Sequence, residues 1–494
     1  MTNLTQKIIS RLPEVTTYLA AIIFLSLFLR VALQRIDYPF ELEWMEGSMV
    51  DHMLRVYHGK SLYPKPSLDF VSAIYPPIYF WISALVAKVV GIGFFPLRLV
   101  SLLASLANFV LVFRIVHKET TNVSSGILAA GLFIGTFGIS GSWFDIARMD
   151  SLFLTFFLGG IYLVRFHFTL KGSLTAALFF SLSILTKQTA LPMVACVCMA
   201  LIIQHRMRAL WMCTGVVVLV GCSAWLGHIL TEGWFTFHVL TVPGEHVWTS
   251  EYYTKFWTHD LFLALPISFT VTVVWLIREI VRGERSTAVF YVWMAAGMVV
   301  ASWLGRLHTG GFLNVLIPAY LVLAIICGLA LASFLRSEAS MRMSMIVLVT
   351  GLIAFQFSYL QYDASKRIPT ELDRLAWQQF VEAVADIDGE VYIAYHGYIG
   401  QLAGKRSYAH KMALGDVMRV DSTLKRELSE QLQEEYRKKR FAAVILDAGW
   451  QTETLKLYYK NTGGVFTIPN VGYPVTGFRT RPRYFFSPNK LPWE

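Results

Sequence analysis

The chain has 494 residues, of which 55% are hydrophobic and only 15% charged, with a mean hydropathy of +0.51. A soluble protein carries roughly 25% charged residues to cover its surface, so a water-soluble enzyme and a disordered chain are both excluded for most of the sequence, which leaves a multi-pass membrane protein. The net charge of +10 invites a nucleic-acid reading, but most cations sit in short linkers between apolar runs, which is the positive-inside pattern of membrane topology.

About 20 apolar residues are needed to cross the hydrocarbon core of a bilayer. Runs of that character occupy about 15–34, 96–116, 123–141, 151–168, 173–187, 189–204, 209–230, 260–278, 287–305, 312–335 and 343–361. The run at 73–92 opens on Tyr75, Pro76 and Pro77 and carries Lys88 near its end, which fits a re-entrant or interfacial helix. With the N-terminus (Lys7, Arg11) in the cytoplasm and the first run kept as an anchor, every second linker is basic: Arg114 and Lys118, Arg165 and Lys171, Arg206 and Arg208, then Arg278, Arg282 and Arg285, and last Arg336 and Arg342. The other loops (35–95, 142–150, about 187–190, 231–259, 306–311) and the tail from about 362 then face outward, and they hold nearly every unusual charged or aromatic cluster. The sequons at Asn3 and Asn122 fall on the inner side and read as chance. All five cysteines lie inside apolar runs, with neither disulfide nor zinc spacing.

Residues 1–361 are therefore expected to form a transmembrane catalytic domain and 362–494 an extracytoplasmic α/β domain. In that tail, Leu372, Leu375, Phe380 and Val384 have helical spacing over 371–387. Segments 391–395 and 442–446 read as buried strands, and a charged helix covers about 422–440. With no nucleotide loop, metal cluster or triad, the tail reads as a lid or acceptor-binding module.

Five outer elements are candidates for chemistry. The first loop puts Asp37, Glu41, Glu43 and Glu46 within ten residues, interleaved with aromatics. Acids crowded beside a membrane tend to have raised pKa values, which suits a general base. The structural alternative is an N-terminal cap for a helix at about 44–58, on which Glu43 and Glu46 would share a face. In the second loop Asp150 stands at the lip of an apolar helix, with Arg148 placed to pair with it. In the third, Lys187 interrupts two apolar runs, as a snorkelling anchor or a phosphate ligand. The fourth sets Arg306 and His308 beside Gly310 and Gly311, an anion cradle, with Asn314 inside the next helix. The fifth, 231–259, carries Glu245 and His246, which chelate a metal poorly from adjacent positions, so it reads as a substrate gate. Carboxylates with aromatics suit a sugar, and cations suit its phosphate.

At these residues the sequence resembles the C-type (GT-C) integral-membrane glycosyltransferases, especially the bacterial branch similar to aminoarabinose transferase and protein mannosyltransferase. The matching features run in order: Glu43 to Gly47, His58 to Tyr63, Tyr75 to Pro77, Arg148 to Leu152, Thr186 to Gln188, and Gly311, Asn314 and Pro318. The resemblance covers about 1–330. It implies a GT-C fold with about 11 transmembrane helices, juxtamembrane helices in the first outer loop, and inverting transfer of one sugar from a polyprenyl-phosphate donor to a glycan, lipid or protein on the outer face of the inner membrane. Glu43 then aligns with the catalytic base, with Glu46 and Glu41 as neighbouring candidates, because the family usually has Asp here and this chain offers three Glu. Asp150 matches the second-loop acid. Lys187 and Arg306 match cations that hold the base or the donor phosphate, with His308, Arg148 and Tyr75 beside them; relatives often carry Lys or His at the position of Tyr75. A divalent cation is neither required nor excluded. The rival readings are a flippase for a lipid-linked sugar, disfavoured by the lack of an internal repeat and the bare mid-helix positions, and an oligosaccharide ligase using a lipid pyrophosphate, which calls for more outer cations.

Overall fold

The computed structural model describes residues 11–282, 285–337, 343–449, 452–466 and 468–489; Lys7, Asn3 and Arg342 of the topology argument lie outside them. Helices occupy the expected apolar runs: Leu12–Arg35, Phe94–Thr120, Val123–Gly135, Asp150–Phe166, Leu170–Thr186, Ala190–Leu230, Pro266–Arg282, Arg285–Leu307, Ile317–Ser337 and Met343–Tyr359. Their starts follow local chemistry. The side chains of Asn122 and Thr169 accept the backbone N–H of Ser125 and Gly172 and so cap two of them, which gives the Asn122 sequon a structural use.

Three expectations change. Five helices among the described residues are long and apolar enough to cross a membrane, or six with one bent pair, so length and composition do not establish 11 crossings. The runs at 189–204 and 209–230 form one element of 41 residues, broken only at His205 (φ −144°, ψ 54°), because the intervening Gln204 to Arg208 contains no glycine or proline to stop a helix. The run at 260–278 is bent by 100° where Tyr252–Leu263 meets Pro266–Val281; a proline ring and its missing N–H end the preceding turn. Ile78–Val90, behind Pro77, has 13 residues and is about 20 Å long, short of the roughly 30 Å hydrocarbon core.

The polar segment after Tyr359 builds the helix Glu371–Ala385, with a capping box between Thr370 and Asp373. A four-stranded sheet follows, with β1 (Glu390–Ile393), β2 (Phe441–Leu446), β3 (Tyr459–Gly464) and β4 (Tyr484–Pro488) in the order β1-β2-β4-β3. β1 and β2 are parallel and linked through helices that include Ser422–Arg437, whose Leu424, Leu428, Leu432 and Tyr436 recur every fourth residue and are all buried. β4 is antiparallel to both neighbours. β3 was not foreseen, because its Lys460 to Gly464 face solvent and carry no apolar alternation.

This polar module does not hang on a tether. One continuous core joins Met49 and Met53 of the first-loop helix Glu46–Tyr57, Tyr79 and Phe94 of the next two helices, and Trp377, Ile393 and Ile445 of the module. Buried Arg35 at the end of the first helix reinforces the junction, pairing with Asp145 at 2.5 Å and donating to the carbonyls of Ser142 and Arg367. Alternate helix ends thus meet beneath the module: the start of Asp150–Phe166, the end of Leu170–Thr186 and the end of Arg285–Leu307.

Candidate functional site

Where those ends meet the module there is a cavity of about 750 Å³. Glu43, Tyr75, Arg148, Lys187, His308 and Asn314 line it, drawn from loops and helix ends spread over some 270 residues of sequence.

Glu43 lies in the turn before the helix Glu46–Tyr57 and is buried; its carboxylate accepts the Met45 N–H at 3.3 Å and lies 3.4 Å from the Arg148 guanidinium. Burial pushes its pKa up to about 8, with Glu46 adding to the rise and Arg148 only partly opposing it. The module closes over it through Gly477 (φ +78°), where a Cβ would stand 2.7 Å from the Glu43 Cγ, so only glycine lets the backbone approach this closely. Arg148 also donates to the Tyr75 hydroxyl at 3.0 Å and sits over the Tyr75 and Trp143 rings.

Asp150 opens its helix and collects three donors: Lys187 Nζ at 2.6 Å, Asn314 Nδ2 at 2.9 Å and Trp143 Nε1 at 3.1 Å. The expected Arg148–Asp150 pair does not form. Positions two apart do not face each other at a helix start, so Arg148 turns to Glu43 while Asp150 turns to Lys187. Lys187, extended between two helices (φ −152°, ψ 119°), reaches both Asp150 and the cavity.

Three expected residues have other partners. Glu46 is fully buried and points away: it binds Arg98 at 2.6 and 3.1 Å and accepts the N–H groups of Leu42 and Ala147. Because the helix begins at Glu46, Glu43 precedes it and the two do not share the expected face. Glu41 is bonded to Nδ1 of His396, whose Nε2 lies 2.9 Å from Asp447. Burial alone would lower the His396 pKa, but Asp447 and Glu41 outweigh it and raise it to about 10, so a protonated imidazole ties the first loop to the module. Arg306 does not line the cavity; it pairs with Asp260 at 2.9 Å and donates to the Gly311 carbonyl, clamping the loop that holds His308. Burial and His246 hold His308 below the usual histidine pKa, so it enters the cavity neutral.

The module supplies a wall the sequence did not reveal: Met412, Asp416, Phe478 and Arg479. His246 of the presumed gate lies 3.6 Å from Asp416, and Trp44 packs against Tyr395, His410 and Phe478. Among the described residues, no three His, Cys, Asp or Glu side chains are grouped to hold a metal ion.

The fold is similar to that of ArnT from Cupriavidus metallidurans in the apo state, with a TM-score of 0.61 and 12% identity over 95% of this chain and 97% of that one. The same protein bound to undecaprenyl phosphate gives a TM-score of 0.58 at 12% identity, over 95% and 98% of the two chains. The Archaeoglobus fulgidus oligosaccharyltransferase tethered with an acceptor peptide gives 0.54 at 11% identity, over 94% and 74%. Residues 75–228 match the family model for dolichyl-phosphate-mannose-protein mannosyltransferase. No curated protein matches by sequence. The chain thus has the fold of the GT-C membrane glycosyltransferases, and residues 75–228, about a third of it, match the mannosyltransferase family model.

Proposed function

We propose that the protein transfers a single sugar from a polyprenyl-phosphate donor to a hydroxyl of a cell-envelope glycan, lipid or protein, in a cavity opening on the outer face of the inner membrane. The observation that carries this reading is a buried carboxylate with a raised pKa and a lysine lining one cavity at the ends of apolar helices. The acceptor oxygen attacks the anomeric carbon, the bond from that carbon to the phosphate oxygen breaks, and the phosphate leaves with the electron pair. Glu43 takes the hydroxyl proton, and one displacement inverts the anomeric centre. Charge developing on the leaving phosphate needs a cation; Lys187 supplies it, oriented by Asp150 and Asn314. Arg148 steadies Glu43 and turns the Tyr75 hydroxyl into the cavity. The likeness to a structure holding undecaprenyl phosphate supports the choice of donor.

Incubating the purified protein with radiolabelled sugars on polyprenyl monophosphate and on polyprenyl pyrophosphate tests the donor class. Release from the monophosphate alone is expected; release only from the pyrophosphate makes the protein a ligase, and tight binding without release makes it a carrier.

Two predictions arise from the same geometry. A base with a pKa of about 8 is ionised in roughly one molecule in ten at pH 7, so kcat/KM rises about tenfold per pH unit below 8 and levels off above it. A profile flat from pH 6 to 9 contradicts that role. Lys187→Met removes a charge-assisted contact of about 1.5–3 kcal/mol, so the Kd for undecaprenyl phosphate, measured by calorimetry, should rise at least tenfold. An unchanged Kd removes Lys187 from the donor site.

A further inference from the structure

The helices Asp150–Phe166 and Leu170–Thr186 have 17 residues each, about 25 Å at 1.5 Å per residue. One end of each borders the cavity with Glu43. Their other ends border a second cavity of about 400 Å³, lined by Arg165, His167, Phe168, His205, Arg208 and Phe290 among others. It therefore lies at the opposite end of these two helices, where basic linkers expected from the sequence converge.

No Asp or Glu lines this cavity. Arg165 is balanced by Glu119, at 2.5 and 2.8 Å. Arg208 is exposed and has no ion-pair partner among the described residues. Lys118 donates to Nε2 of His167 at 3.2 Å, which makes that nitrogen an acceptor and leaves Nδ1 to carry an N–H. Thr169, also in the lining, caps the helix Leu170–Thr186 at its positive dipole end. The wall on the other side is the break at His205, in a stretch without proline or glycine. Arg165, Arg208, the His167 ring and a helix start thus line a space whose own lining carries no carboxylate. Beside it, Ile203, Met207, Trp211 and Leu170 are more than half exposed, a lipid-facing apolar surface.

We propose that this second cavity binds the phosphate group of an anionic membrane lipid from the leaflet opposite the transfer site. Basic pockets between helices at a membrane edge suit such head groups, and the apolar flank and phenylalanine rings favour a phosphate carrying acyl chains over a free ion.

The test uses delipidated full-length protein in detergent micelles, titrated with phosphatidylglycerol and followed by native mass spectrometry. The His205→Gln, Arg208→Gln double variant should raise the apparent Kd at least tenfold. Lys171→Gln, an exposed cation on the same edge but outside the cavity lining, should leave it unchanged, and millimolar inorganic phosphate should displace the lipid poorly. Equal binding by the wild type and the double variant overturns the site. An equal loss in Lys171→Gln reduces it to diffuse edge charge and overturns it as well, and inorganic phosphate competing as well as the lipid overturns the lipid assignment. If the double variant does not fold, Arg208→Gln alone, at an exposed position, carries the same test with the same outcomes.

Discussion

Glu43→Gln is expected to lower sugar transfer by about 10²–10⁴-fold, the usual contribution of a positioned general base, while the protein stays folded and still binds polyprenyl phosphate. The substitution is isosteric, and at neutral pH the wild-type side chain is already mostly protonated, since burial raises its pKa to about 8. The amide thus mimics the resting state and cannot take the acceptor's proton. Arg148 keeps its contact with the Tyr75 hydroxyl at 3.0 Å, and the Glu43 side chain it faces is already mostly neutral at pH 7, so the amide changes its charge environment little. The loss should appear in kcat, with the thermal transition within a few degrees of wild type; an equal loss in folded fraction would mean that Glu43 holds structure instead.

The second large effect lies three residues away and has the opposite character. Glu46→Gln should cost about 3–5 kcal/mol of stability, the usual effect of removing one partner from a buried ion pair. Arg98 is fully buried and depends on Glu46 for charge balance, with the carbonyls of Tyr38 and Phe40 as its further acceptors. The Glu46 carboxylate also satisfies the N–H groups of Leu42 and Ala147, which an amide accepts less well. Thermal unfolding in detergent checks this. Arg98→Met should be comparably destabilising, and the double variant should be more stable than the sum of the singles predicts. Additive losses would show that the two groups are not coupled.

Glu43 and Glu46 differ in role because of partners that lie far from them in the chain. The apolar runs and the short helix behind Pro77 are legible locally, because each depends on residues within one or two turns of itself. Asp150 and Lys187 stand out locally as charges at the ends of apolar helices, but their pairing with each other at 2.6 Å does not. The sorting of three glutamates was not legible. It depends on Arg98, on Arg148 and on His396, which lies 355 residues from Glu41, and on a helix that begins at Glu46 rather than at about 44. The cavity wall from the module was hidden for the same reason: Asp416 and Gly477 acquire their positions only when the tail packs on the first loop, and Gly477 is marked by its left-handed backbone and close approach, not by any motif. Arg306 looked like an anion ligand in its loop; its partner Asp260 comes from a helix 46 residues earlier.

The most direct test of the account compares Glu41→Gln, Glu43→Gln and Glu46→Gln in one assay, release of labelled sugar from a polyprenyl-phosphate donor per folded molecule. The geometry predicts that Glu43→Gln alone is folded and inactive, while the folded fraction of the other two still turns the donor over. Wild-type release by Glu43→Gln, with release lost in a well-folded Glu41→Gln or Glu46→Gln, would contradict it.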